Sequence, residues 1–545
     1  MLSYSRRSFL KSTAASAITL GFSGAAPRLA FAAPDLARLD GLAQAELVRK
    51  REITALELVD AAIQRIDAVN PRLNAVVTFC FDRARKAARK PPRDGAFAGV
   101  PSLVKDLNDL KGTRNTFGSR LYADNYSTRT EPLLAAFEQA GIIFVGKSNA
   151  PEFGFLPTTE PLLLGPCHNP WNLDHSTGGS SGGAAAAVAA GMVPFAHAND
   201  IGGSIRIPAS CCGVFGLKPS FDRMDLGYRG VSAVMVADHV ETRSVRDSAM
   251  LFSRTESTRK KAAFPPVGYV SGPGKDKRKI ALTMVNYLGK EPAADVKAAI
   301  DRTAKLCADL GHEVILVQHP LAGDEKLLEA FLALFSSDAA QLVKTAEKKG
   351  FDPSSVLEPW TLGNAEVFEK LPKGAVENAL AYRKETIRRL DAFFAKYDAW
   401  LTPMVDRAPP KLGELAPTVP YATLRQRSAS YASYTALHNF AGTPAMSVPL
   451  YWNDAGLPIG SQFSAGRGGE KILFELAYQL ESAQPEGQGR SEPPKIAWGS
   501  DIFSRSGRDL KARSSARLNS HTFSESYSMS RPLLCTESET DPIEV

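Results

Sequence analysis

The chain has 545 residues, of which 44% are hydrophobic and 23% charged, and its formal net charge is +7. Those values are ordinary for a globular protein with a large core, and the length admits two or three domains. No apolar stretch reaches the ~20 residues that a membrane-spanning helix needs, so no membrane anchor is expected.

The first 32 residues read as a targeting segment. Ser5-Arg6-Arg7-Ser8-Phe9-Leu10-Lys11 resembles a twin-arginine export signal, a weakly apolar stretch runs from Ala14 to Ala26, and Ala30-Phe31-Ala32 supplies an A-x-A cleavage site. The expectation is export of the folded chain to a bacterial periplasm with residues 1–32 removed. That removal takes Arg6, Arg7, Lys11 and Arg28 and no acid, leaving +3. So small a charge argues for neither nucleic acid nor a membrane surface, and no basic run is interleaved with aromatics.

Residues 36–69 carry apolar side chains at helical spacing, with Thr54-Ala55-Leu56-Glu57 as a capping box and Asn70-Pro71 as the expected stop. A strand over 73–79 and a helix over 81–89 follow, then an exposed loop at Pro91-Pro92. Gly99 to Asp106 reads as a buried strand ending in charge. A helix over 132–140, a strand over 142–145, a helix over 182–190 and a strand over 192–196 continue the alternation. Residues 279–283, 292–310 and 313–318 repeat strand, helix, strand. Strands alternating with helices indicate an α/β fold with a largely buried sheet. Residues 256–279 read as an exposed loop and 325–400 as a peripheral helical cover. Residues 437–450 and 457–463 read as strands and 472–481 as a last helix. The stretch from 484 to 545 is polar and weakly periodic, the composition of a loosely ordered extension.

Six cysteines occur, at 80, 167, 211, 212, 307 and 535. None forms a C-x-x-C pair or a His/Cys cluster, so neither a metal nor a disulfide framework is expected. Cys211 and Cys212 read as buried packing residues.

Chemistry concentrates between His175 and Pro219. Two glycine clusters each present a serine: Gly178-Gly179-Ser180-Ser181-Gly182-Gly183 and Gly202-Gly203-Ser204. Successive glycines let backbone N–H groups turn inward and form a nest for an anion, with a serine at its end. A serine nucleophile needs a base. His197, alternating with apolar neighbours, reads better as a core histidine. Lys105, at the end of an apolar strand beside Asp106, is the other candidate, because a buried lysine loses its charge easily.

Taken together these stretches resemble the amidase signature family. Gly99-Val100-Pro101 through Lys105-Asp106, Gly178 to Gly183, and Asp200-Ile201-Gly202-Gly203-Ser204-Ile205-Arg206 match its three catalytic stretches in order. Lys147-Ser148-Asn149 with Glu152, Asn169-Pro170-Trp171-Asn172, Gly216-Leu217-Lys218-Pro219 and Gly442-Thr443-Pro444-Ala445 also match. The resemblance spans residues 36–483 and implies one large domain, with a mixed central sheet covered by helices on both faces. It implies an amidase without a cofactor, in which Ser204 is the nucleophile, Ser180 a bridging serine after a cis bond from Gly179, and Lys105 the base. The N–H groups of Ile201, Gly202, Gly203 and Ser204 would hold the oxyanion, with Asp200 and Arg206 bracing the loop and Ser181 supporting Ser180.

Two departures stand out. Asn199 replaces the family's frequent threonine, and Ser220-Phe221-Asp222-Arg223 replaces its usual arginine-glycine turn. Both are expected at the pocket rim, away from the three reacting side chains. A looser likeness to the 6-aminohexanoate-cyclic-dimer hydrolases suggests a linear or cyclic small-molecule amide; a homodimer is admitted but not required. A catalytically silent amide-binding protein and an amidotransferase A-type subunit are the alternatives.

Overall fold

The computed structural model describes residues 33–91, 94–228 and 230–484. The export signal, Pro92, Cys535 and the extension from 485 onward lie outside the described residues.

Three strands, β1 (Val76–Phe79), β2 (Pro101–Lys105) and β3 (Ile143–Ser148), form a small sheet in the order β1-β3-β2. β3 runs antiparallel to β1 and parallel to β2. Short strands β4 (His168–Asn169) and β5 (Asn172–Ser176) pair as a hairpin leading into the first serine loop. The remaining strands are β6 (Phe195–Asp200), β7 (Phe215–Lys218), β8 (Ala237–Thr242), β9 (Lys279–Leu282), β10 (Glu313–Leu316), β11 (Ala399–Pro403), β12 (Ala445–Trp452) and β13 (Pro458–Ser464). They build one mixed sheet in the order β10-β9-β11-β13-β12-β7-β8-β6. Its β10-β9-β11 end is parallel and the rest antiparallel. Helices flank this α/β core, and none among the described residues is long and apolar enough to cross a membrane.

The two sheets meet where β2 runs beside β6. The Ser102 hydroxyl donates to Phe195 O at 3.0 Å, and Lys105 N–H donates to His197 Nδ1 at 3.4 Å. Every residue of β2 is buried, Ser102 and Lys105 included. Lys105 is therefore carried into the interior by the strand that ends on it.

The capping box forms as its spacing predicts: Thr54 Oγ1 accepts from Glu57 N–H and Glu57 Oε2 from Thr54 N–H. The helix it opens does not stop at Asn70-Pro71 but runs from Ala55 to Leu73. Proline's fixed φ is helical, and the Asn70 side chain accepts the N–H groups of Ala75 and Val76 beyond the end. The strand expected at 192–196 begins only at Phe195, after a bend through Pro194. The strand expected at 437–450 starts only at Ala445, in β12; its first part is a buried helix, Ala436–Ala441, closed by Gly442 at φ 75°. A short apolar run has no periodicity to separate the two, and left-handed glycine is the stop signal. The helical cover forms as Lys326–Lys348, Pro353–Val356, Pro359–Glu369 and Ala375–Phe394, but it is not merely peripheral: Phe331, Phe335 and Trp360 line the cavity described below.

The turn at 220–223 is not at the pocket rim. Arg223 is buried and pairs with Glu470 at 2.9 Å, at the start of the last helix, Glu470–Ala483, and Glu470 also accepts Ser220 N–H at 2.8 Å. Removing Glu470 leaves the buried Arg223 guanidinium with only the longer 3.6 Å ion-pair contact to Glu256 and leaves Ser220 N–H without its acceptor. Glu470→Ala should therefore lower unfolding free energy by about 3–5 kcal/mol in urea titrations. A loss under ~1 kcal/mol, the surface-pair range, would contradict this.

Candidate functional site

The two glycine-serine loops converge on Lys105. The first follows β5. Gly179 lies so close to Thr158 that a Cβ there would sit 2.4 Å from Thr158 O and 2.5 Å from its N, so no side chain fits. The peptide from Gly179 to Ser180 is cis. Ser180 is almost wholly buried, and its Oγ lies 2.7 Å from Lys105 Nζ. Ser181 donates its hydroxyl to Asn199 O at 3.2 Å and its N–H to Ser204 O at 3.2 Å, tying the first loop to the second.

The second loop follows β6 and wraps around Asp200. This carboxylate accepts Gly203 N–H at 2.7 Å and Ile205 N–H at 3.1 Å. Arg206 grips the same carboxylate with two bonds of 3.0 Å and also reaches Gln462 Oε1 at 2.8 Å and Asn439 Oδ1 at 2.6 Å. All four side chains are fully buried. Burial alone would raise the Asp200 pKa; the Arg206 and Lys218 cations and its hydrogen bonds overcome that and hold it well below the usual carboxylate range. Gly203 turns at φ 136°, and a Cβ on it would lie 2.6 Å from Thr435 Oγ1. Because its N–H is committed to Asp200, the N–H groups of Ile201, Gly202 and Ser204 remain from the four expected to hold an oxyanion.

Lys105 has three neighbours at its amine: Ser180 Oγ at 2.7 Å, Asn199 Oδ1 at 2.7 Å and Asn199 O at 3.4 Å. Burial pushes its pKa down to about 7, against the pull of Glu241, Asp238 and Asp200, which favour the charged form. A neutral amine has two protons and one lone pair. With both protons given to the Asn199 oxygens, the lone pair faces the Ser180 hydroxyl.

The expectation that Asn199 stays clear of the reacting side chains is thus overturned: it touches Lys105 directly. Asn199 Nδ2 donates to Asn108 Oδ1 and Tyr228 Oη, both at 3.1 Å, and Tyr228 Oη in turn donates to Asp238 at 3.1 Å. This chain fixes which end of the amide faces the lysine. The only sequence signal for it was the departure from threonine. Asp106, next to Lys105 in sequence, belongs to a different cluster, 3.4 Å from Lys147 Nζ. His197 is the core histidine expected, fully buried with Nε2 3.6 Å from Asp238. Cys211 and Cys212 are buried and free, as are Cys167 and Cys307.

Two cavities open on the serines. One, of about 130 Å³ and open to solvent, exposes Ser204, Gly179 and Gly202 to a wall of Phe155, Leu156, Leu327, Phe331, Phe335 and Trp360. The other, of about 190 Å³, exposes Ser180 and Asn199. Phe155 and Ile201 stand in both walls.

Residues 57–474 match the sequence profile described as Amidase. The chain is 38% identical over 478 residues to a putative amidase, AmiC, of Mycobacterium tuberculosis, covering 86% of this chain and 99% of that one. It is 34% identical over 480 residues to a 6-aminohexanoate-cyclic-dimer hydrolase of Paenarthrobacter ureafaciens, covering 82% and 95%. Among solved structures, a 6-aminohexanoate cyclic dimer hydrolase complexed with substrate superposes with a TM-score of 0.78 at 31% identity, covering 84% of this chain and 99% of that one.

Burial and the Asn199 contact make opposite demands on Lys105. In NMR titration of labelled lysine side chains, Lys105 should ionise near pH 7. Asn199→Ala should move that midpoint lower, because the amide oxygen accepts from the ammonium and favours it. A wild-type midpoint at the ordinary lysine value, or an upward move in the variant, would contradict this geometry.

Proposed function

The chain belongs to the amidase family and is an amide-hydrolysing enzyme; from that premise we propose that it works through an acyl-Ser204 intermediate driven by Lys105 acting through Ser180. The observation that carries this reading is the 2.7 Å contact between a fully buried lysine amine and the Ser180 hydroxyl, with the two serine loops tied together. Neutral Lys105 takes the Ser180 proton as Ser180 takes that of Ser204. Ser204 Oγ then attacks the amide carbonyl carbon, and the negative charge on the carbonyl oxygen meets the N–H groups of Ile201, Gly202 and Ser204. Fixed donors of this kind contribute about 3 kcal/mol each to the barrier. The relay then runs backwards: Ser180 delivers a proton to the amide nitrogen, recovering its own from Lys105, and the C–N bond breaks. Water, giving its proton to the same relay, attacks the acyl-Ser204 ester; the bond from the acyl carbon to Ser204 Oγ breaks, the relay returns that proton to Ser204, and the acid leaves, ionising to the carboxylate in solvent.

The apolar wall of the Ser204 cavity supports an acyl group rich in CH₂ or aromatic surface. Two of the proteins named above are 6-aminohexanoate-cyclic-dimer hydrolases, and a linear or cyclic amide of that general class suits this site. The Arg6-Arg7 motif supports a periplasmic place of work, reached after export.

Ser204→Ala should abolish amide turnover while the circular dichroism spectrum and melting temperature stay those of the wild type; retained turnover would overturn the nucleophile assignment. The pH profile supplies a second test. Lys105 must be neutral to accept a proton, so kcat/KM should rise through pH 7 and level off above it. A profile that falls between pH 7 and 9 while the fold stays intact would remove Lys105 from the role of base.

A further inference from the structure

We propose that the second cavity receives the leaving amine and that Asp338, in its wall, makes the enzyme prefer amines that carry a second, cationic group. This rests on the relay just described. In that relay the departing nitrogen must take its proton from Ser180, so the amine lies on the Ser180 side of the scissile bond and the acyl group on the Ser204 side. The two cavities divide in the same way: Ser204 opens on the first, Ser180 and Asn199 on the second.

The second cavity has the chemistry of a short spacer with a charged end. Leu107, Phe117 and Phe153 give it apolar walls, and Tyr228 and Ser232 add hydroxyls. Among the described lining residues Asp338 alone is an acid, and none is a lysine, arginine or histidine. Asp338 sits on the long helix Lys326–Lys348, partly buried, and accepts the Ser232 hydroxyl. Ser337 also bonds this carboxylate, which offers about four acceptor positions, so the two hydroxyls orient it without saturating it. Burial pushes its pKa up, the opposite of what a cation beside it would do. A primary ammonium at the far end of the leaving amine would supply the missing partner. The substrate class is then a monoamide of a short α,ω-diamine.

The test compares two amides of one acyl group, made with 1,4-diaminobutane and with n-pentylamine, which differ only in a terminal ammonium or methyl group. The wild type should favour the diamine amide by about tenfold in kcat/KM, as one modest charge pair in a partly buried site allows. Asp338→Asn, which keeps the shape and the Ser232 bond, should bring the ratio to near one. Equal wild-type rates, or a preference that survives in Asp338→Asn, would overturn the proposal. Should that variant not fold, free 1,4-diaminobutane must inhibit wild-type hydrolysis of the pentylamide at lower concentration than n-pentylamine does; equal inhibition overturns the proposal. Failure here is distinguishable from failure of the relay. Lost selectivity with turnover still dependent on Ser204 removes Asp338 alone, whereas turnover by Ser204→Ala removes the relay.

Discussion

The burial of the Lys105 amine is the constraint on which the rest of the site depends. Nothing in the first part of the chain requires a lysine at the end of β2, an otherwise apolar strand, and removing an ammonium from water is costly. The cost is moderated in two ways. Losing the proton removes the charge near neutral pH, and the Asn199 oxygens and Ser180 hydroxyl replace the hydration that the amine gave up. Both make the same group useful as a base.

A base held this deep is of use only if the serines meet it in a fixed geometry. That demand accounts for the polar lattice around Asp200 and Arg206, which ties the second serine loop to Gln462 on β13 and to Asn439 on the Ala436–Ala441 helix. Residues 233 and 256 positions further along the chain from Arg206 thereby hold one seven-residue loop. The ion pair adds little net stability over an apolar replacement, given the desolvation of both partners. What it supplies is position: Asp200 bonds its own loop at Gly203 and Ile205 and leaves Ser204 facing the cavity.

Much of this was legible in the sequence, and the exceptions have physical causes. β2, the helix Gly182–Ala189 and the strand-helix-strand unit from 279 to 316 were readable because their apolar runs are bounded by glycine, proline or charge. The helices Arg206–Cys212 and Ala436–Ala441 were not, because almost every residue in them is buried and a helix without an exposed face has no amphipathic period. Lys105, Ser180 and Ser204 were brought forward by motif order, not by chemistry visible in any one of them, since an isolated Lys-Asp at a strand end looks solvent-exposed. Asn199 and Tyr228 escaped for another reason. Their role comes from a bond network spanning Asn108, Glu131 and Asp238, on segments up to 130 residues apart, and no local pattern records it.

The most direct measurement of Lys105 as the base for Ser204 is the rate of covalent labelling by a fluorophosphonate as a function of pH, with the adduct located by mass spectrometry. In the wild type the adduct should lie on Ser204, and its rate of formation should climb through pH 7 as the buried amine loses its proton. In Lys105→Ala the rate should be low and lose that rise. An adduct on another residue, or a Lys105→Ala profile that keeps the wild-type rise, would contradict the relay.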